Sequence, residues 1–150
     1  MKKIIIIMLL VLLCSCGSKE AKSVTCELIN NDQAGVKVTY FYDDEKNITK
    51  IHNKSYLIFS EDELYESSLD NYFEMITTQY AKAKNEKGVS VNIQKEETEN
   101  KITMEITIVM EEYDINEDIL NVGNYGEMDS IDTILDLYQA SGIYSCEKLK

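Results

Sequence analysis

SEDELYESSLDNYFEMITTQYAKAKNEKGVSVNI, residues 60–93, is the stretch from which the rest of the chain can be read. Ser60 and Glu63 stand at capping-box spacing, where each side chain accepts from the other's backbone N–H. Behind them Tyr65, Leu69, Tyr72, Phe73, Ile76, Tyr80 and Ala83 fall at i, i+4, i+7, i+8, i+11, i+15 and i+18. That spacing predicts one long helix with a continuous apolar stripe. Glu61, Asp62 and Glu63 crowd its start and Lys82, Lys84 and Lys87 its end, the sense that the helix dipole favours. Gly88 supplies a left-handed stop. From Val89 the period changes: Val89, Val91 and Ile93 alternate with polar residues, as a half-buried strand does.

Working toward the C-terminus, Glu96 to Asn100 reads as a turn, and Ile102, Met104, Ile106, Ile108 and Met110 alternate in a further strand. The two strands make a hairpin whose apolar face lies on the long helix. Asp114 with Glu117 predicts another cap and a short helical turn through Leu120, and Asn121 to Met128, with two glycines, a loop. A last helix starts at Asp129 with Ile131, Ile134, Leu135 and Tyr138 on one face. Gly142 ends it, and Ile143 folds back to bring Cys146 near the sheet.

Toward the N-terminus, Val24 to Leu28 alternates as a first strand, and Asn30 to Gly35 is a turn. Val36, Val38, Tyr40 and Tyr42 share one face of a second, with Lys37, Thr39 and Phe41 on the other. Asp43 to Asn47 is a polar hairpin connection. Ile48 to Phe59 is a longer, less regular third strand, with a bulge expected near His52 and Asn53. The fold class is therefore α+β: an antiparallel sheet of about five strands, in the order β-β-β-α-β-β-α-α, with the helices packed on one face. Residues 23–150 form a single domain.

The first residues carry an address. Lys2 and Lys3 precede an unbroken apolar run, Ile4 to Leu13, about half the roughly 20 residues that a helix needs to cross a bilayer. Residues 1–15 are thus expected to be a signal peptide. Leu13-Cys14-Ser15-Cys16-Gly17 has the form of a lipobox, which makes Cys16 the acylated first residue of the mature chain. Residues 16–22 then act as a tether of about 20 Å at most, so the domain rides close to the membrane. The expected location is extracytoplasmic and lipid-anchored. The Ile, Lys and Asn bias with no Arg points to a low-GC Gram-positive host.

Charge narrows the partners. The chain has a formal net charge of −12, and loss of Lys2 and Lys3 leaves 13 lysines against 27 carboxylates, about −14. Such a field repels phosphate backbones and anionic headgroups, so nucleic acid is a poor partner and the membrane is held through the lipid. After processing two thiols remain, Cys26 and Cys146, in a compartment where disulfides persist, and they are expected to pair. A metal site would need further ligands, and no Cys-x-x-Cys or His pair supplies them.

No catalytic constellation stands out. His52 is the single histidine and lies in a polar strand, no Gly-x-Ser-x-Gly elbow is present, and the six glycines are scattered singly. Carboxylates are plentiful without a distinguished pair. Asp114-Ile115-Asn116-Glu117-Asp118 begins like a calcium loop, but Ile119 stands where glycine is needed and Tyr125 where glutamate is needed. A helix start explains it better, and a charged turn explains Asp43-Asp44-Glu45. No metal and no cofactor is expected. Most of the ten tyrosines fall on apolar faces, as core aromatics with a hydroxyl at the rim. Tyr125, within Gly123-Asn124-Tyr125-Gly126, has no stripe to join and is the candidate contact residue.

Taken together, the lipobox, the early Thr25-Cys26 strand, Tyr40-Phe41-Tyr42-Asp43-Asp44 leading into Ile48-Thr49-Lys50, the long acidic helix, Lys87-Gly88-Val89 and a terminal helix-and-strand from Leu137 to Cys146 resemble the small bacterial lipoproteins of the YehR type. The resemblance implies a compact α+β lipoprotein domain and transfers no catalytic residue. The expected role is binding or interaction at the cell envelope, with an envelope protein or a small ligand as partner. A solute- or cation-binding accessory lipoprotein is the alternative, and an envelope hydrolase trails both. An internal apolar pocket would favour a small ligand, an exposed apolar patch a protein partner, and a cleft with paired carboxylates an enzyme.

Overall fold

A computed structural model describes residues 22–28, 32–59, 66–114, 120 and 130–149. Six strands form one antiparallel sheet: β1 Lys22–Leu28, β2 Ala34–Tyr42, β3 Ile48–Ile58, β4 Val89–Glu96, β5 Lys101–Val109 and β6 Tyr144–Leu149, in the spatial order β4-β5-β3-β2-β1-β6. Two α-helices accompany it among the described residues, α1 Glu66–Gln79 and α2 Ile131–Ser141. The class is α+β as expected, with six strands where about five were read. The sixth is the segment after Ile143, which pairs along the whole of β1 from Ser23↔Leu149 to Leu28↔Tyr144. The resemblance carries this strand in its terminal helix-and-strand, whereas the order read from the residues alone omits it, because its alternation is short and its partner lies more than a hundred residues away.

Period-2 patterning places one residue set under the helices. Val24, Cys26, Val38, Tyr40, Ile51, Ile102, Ile106 and Ile108 all point to that side and are buried. Ile131 and Ile134 of α2 complete the larger core cluster, while Leu69 and Ile76 of α1 close a smaller one over Ile102, with Phe59, Phe73 and Ile93 beside it. Both helices therefore cover the same face, as read from their stripes. The opposite face is polar, as one-sided antiparallel sheets are.

Three local details differ from expectation. The register of β3 runs without interruption through His52 and Asn53, and the irregularity sits instead at Phe41/Tyr42, opposite Thr49. The long helix stops at Gln79, and a 3₁₀ turn at Ala83–Asn85 follows. Hydrogen bonds from Ala81 N–H to Thr78 C=O and from Asn85 N–H to Lys82 C=O tighten the spacing from four residues to three. Ala83 stays fully buried, so the apolar stripe outlasts the helix. Gly88, at φ +75°, then turns the chain into β4 and is not a helix stop. The last helix ends at Gly142 as expected, and the residue is left-handed, φ +67°.

The start of α2 is pinned to the β2–β3 hairpin. Ile131 N–H donates to Lys46 C=O at 3.0 Å, Asn47 bridges Ser130, and Lys46 pairs with Asp132. At the other end Cys146 stands directly opposite Cys26 and is bonded to it, with 4.0 Å between the Cα atoms. The expected disulfide thus staples the edge strand β6 onto β1. Lys22, the last residue of the expected tether, opens β1 instead. The signal peptide, Cys16 and the tether as far as residue 21, the Ser60/Glu63 cap, residues 115–119 of the turn expected from Asp114 to Leu120, and the loop bearing Tyr125 lie outside the described residues.

Candidate functional site

The polar face of the sheet is a set of direct cross-strand pairs. Thr25 Oγ1 and Thr39 Oγ1 are 2.9 Å apart, and His52 Nδ1 lies 3.1 Å from Thr107 Oγ1. Lys37 pairs with Glu27 at 2.6 Å and Lys54 with Glu105 at 2.7 Å. The Lys54 ammonium holds the Glu105 carboxyl below its usual range. Lys50 sits 3.8 Å above the Phe41 ring. His52 is therefore a strand residue bonded to its neighbour, and these residues serve each other.

The acidic hairpin is also self-satisfied. Asp43 Oδ1 accepts from the N–H groups of Glu45 and Asn47, and Oδ2 from Asn47 Nδ2 at 3.0 Å. The Asn47 side chain is the first cause of a lowered Asp43 carboxyl. Among the described residues no group of three His, Cys, Asp or Glu side chains converges to hold a metal ion. No helix among them is long and apolar enough to cross a membrane.

The helix-covered face holds a different feature. A partly open cavity of about 220 Å³ lies against the larger core cluster, with Val38, Tyr40, Ile51, Asn53, Ile106 and Ile108 of the sheet as its floor. Tyr80, just past α1, and Leu120 complete the described wall. Backbone bonds hold both in place: Tyr80 N–H donates to Ile76 C=O at 3.0 Å, and Leu120 N–H to the phenol oxygen of buried Tyr113 at 3.4 Å. Tyr40 is fixed from behind by its hydroxyl, 2.7 Å from that of Tyr138.

Asn53 is the anomaly in this wall. Ladder partners Val38 and Ile106 flank it, and Ile51 precedes it on the same face. Its Oδ1 is buried and accepts no hydrogen bond. A carboxamide offers donors and an acceptor, and here the residue directly opposite on each neighbouring strand is apolar. The site combines hydrocarbon walls, phenol edges and one amide, which is how small-molecule pockets fix orientation. Sequence reading missed Asn53. Its signal is a polar residue at an inward position of β3, where the alternation alone predicts a bulge.

No family model and no curated protein matches the chain. Two solved structures resemble it. The E. coli YehR protein, determined by NMR, has a TM-score of 0.64 and 17% identity over 89% of this chain and 95% of its own. An NMR structure of a protein from Streptococcus pneumoniae TIGR4 has a TM-score of 0.49 and 13% identity over 88% of each chain. At 17% identity the likeness concerns the backbone, and on that ground the chain has a YehR-like fold.

Proposed function

We propose that this is a lipid-anchored, extracytoplasmic binding protein of the cell envelope, of the YehR lipoprotein type, and that it holds a small ligand in the cavity beneath its sheet. The observation that carries the reading is the cavity wall. None of the eight described lining side chains is a carboxylate, imidazole, thiol or amine. Such a wall holds a molecule and has little means of attacking it. The anchor rests on Lys2, Lys3, the apolar run and the Leu13–Gly17 lipobox with Cys16. A short tether keeps the cavity near the membrane surface of the host, a low-GC Gram-positive bacterium by its composition. The cation-binding alternative loses its hairpin candidate, because Asp43 spends both oxygens on its own loop; most of the Asp114–Asp118 string lies outside the described residues.

Mass spectrometry of the protein isolated from its own membranes tests both halves. The mature chain is expected to begin at an acylated Cys16, with Cys16→Ala neither processed nor acylated, and native spectra should show a retained small-molecule mass. A chain that keeps Met1 and gains no acyl mass overturns the anchor. An envelope protein bound at fixed stoichiometry, with no small molecule, overturns the ligand.

A further inference from the structure

We infer that the cavity takes a neutral, compact, mostly hydrocarbon molecule of about nine non-hydrogen atoms, carrying one hydroxyl or amide group that pairs with Asn53. This rests on the cavity being the binding site. Size follows from comparison, since a dry cavity of about 150 Å³ holds benzene and this one is about 220 Å³. Neutrality follows from the wall. The described lining carries no charge, so an ion entering would shed its water and meet no counter-charge among the described residues. Anions also face the field of a chain with net charge −12.

Polarity follows from Asn53. Its buried Oδ1 lacks a partner, and Val38 and Ile106 opposite it supply none. The two ends of a carboxamide exchange by a half-turn, so the complementary group is one that both donates and accepts. Hydroxyl and amide groups do so; ethers and plain hydrocarbons do not. Water is the competing occupant, because a polar cavity of this size can also be filled that way.

Para-ethylphenol and para-ethyltoluene share one frame and differ in hydroxyl against methyl. Each is titrated into the mature full chain in lipid nanodiscs, with empty nanodiscs controlling for partition, and read by methyl NMR. The expected result is that para-ethylphenol shifts Val38, Ile51, Ile106 and Ile108 and leaves Ile76 and Ile102, in the other cluster, unmoved. It should bind about fivefold tighter than para-ethyltoluene, the gain of one net hydrogen bond, and Asn53→Leu should reverse the order. Equal affinities, or tighter para-ethyltoluene in the wild type, overturn the role of Asn53 and leave the cavity as an apolar site. Neither compound moving the four lining methyls at saturation overturns both the ligand class and the cavity reading, with water as the occupant. The wild-type comparison stands even where the variant fails to fold.

Discussion

Asn53 on β3 lies directly opposite Ile106 on β5, so that a carboxamide is held against hydrocarbon in the middle of a six-stranded sheet. On the other side it faces Val38. A buried polar group left unpaired costs about 1–3 kcal/mol, a large share of what a small domain has to spare. Natural proteins break local rules of this kind mainly where function requires it. Asn53 also lines the cavity, where a guest would meet its carboxamide.

Reduction of the Cys26–Cys146 bond is expected to lower stability by about 4–5 kcal/mol, because the bridge closes a loop spanning a separation of 120 residues in the unfolded chain. Urea denaturation with and without reductant checks this. A loss below about 1 kcal/mol would mean that the unfolded chain is little constrained by the bridge.

Ile134 and Leu137 share α2 and separate burial from helix propensity. Ile134 is 1% exposed inside the larger cluster, and Leu137 is 47% exposed. Ile134→Ala is expected to cost about 2–5 kcal/mol through lost packing and a new void. Leu137→Ala should stay within about 0.5 kcal/mol of wild type. Equal losses in chemical denaturation would contradict the placement of α2 on the sheet.

Two left-handed glycines should respond differently to alanine. At Gly142 a Cβ would meet nothing within 4 Å, so Gly142→Ala is expected to cost only the backbone strain, about 1–2 kcal/mol. At Gly88 a Cβ would stand 2.7 Å from Glu112 Cβ and 2.8 Å from the Val109 carbonyl oxygen. The Gly88 carbonyl also accepts from Val109 N–H at 2.8 Å. Gly88→Ala must therefore displace the end of β5, and its thermal midpoint should fall clearly below that of Gly142→Ala.

Much of this architecture was legible. The burial of Leu69 and Ile76, the alternation from Ile102 to Ile108 and the pairing of Cys26 with Cys146 each follow from spacing or compartment, and each is found, while Tyr72 of the expected stripe is 37% exposed. Features set by distant partners were not. Tyr144–Leu149 becomes a strand because β1 offers it an edge, which its own short alternation does not announce. The helix end was misplaced because Tyr80 and Ala83 continue facing inward through a turn and a 3₁₀ segment. Asn53 was misread for a similar reason: period shows which side a residue faces, and nothing of the space in front of it.

Acid should weaken the β2–β3 hairpin in a defined window. The Asp43 carboxyl is lowered in the fold, first by the Asn47 side chain, from an ordinary 3.8. A lowered carboxyl contributes stability that is present above the unfolded value and lost as pH falls through the folded one. The stability difference between wild type and Asp43→Ala is therefore expected to be level from neutral pH to about 5 and to shrink below 3.8. A difference unchanged into strong acid would show that the loop does not depend on the charge.

Equilibrium unfolding of Asn53→Leu tests the central claim most directly. If the carboxamide is an unpaired group kept for a guest, the ligand-free variant should be more stable than wild type by about 1–2 kcal/mol, with an unchanged denaturant slope. A variant less stable than wild type would mean that the amide is already satisfied in the empty protein, and that it belongs to the fold and not to a ligand.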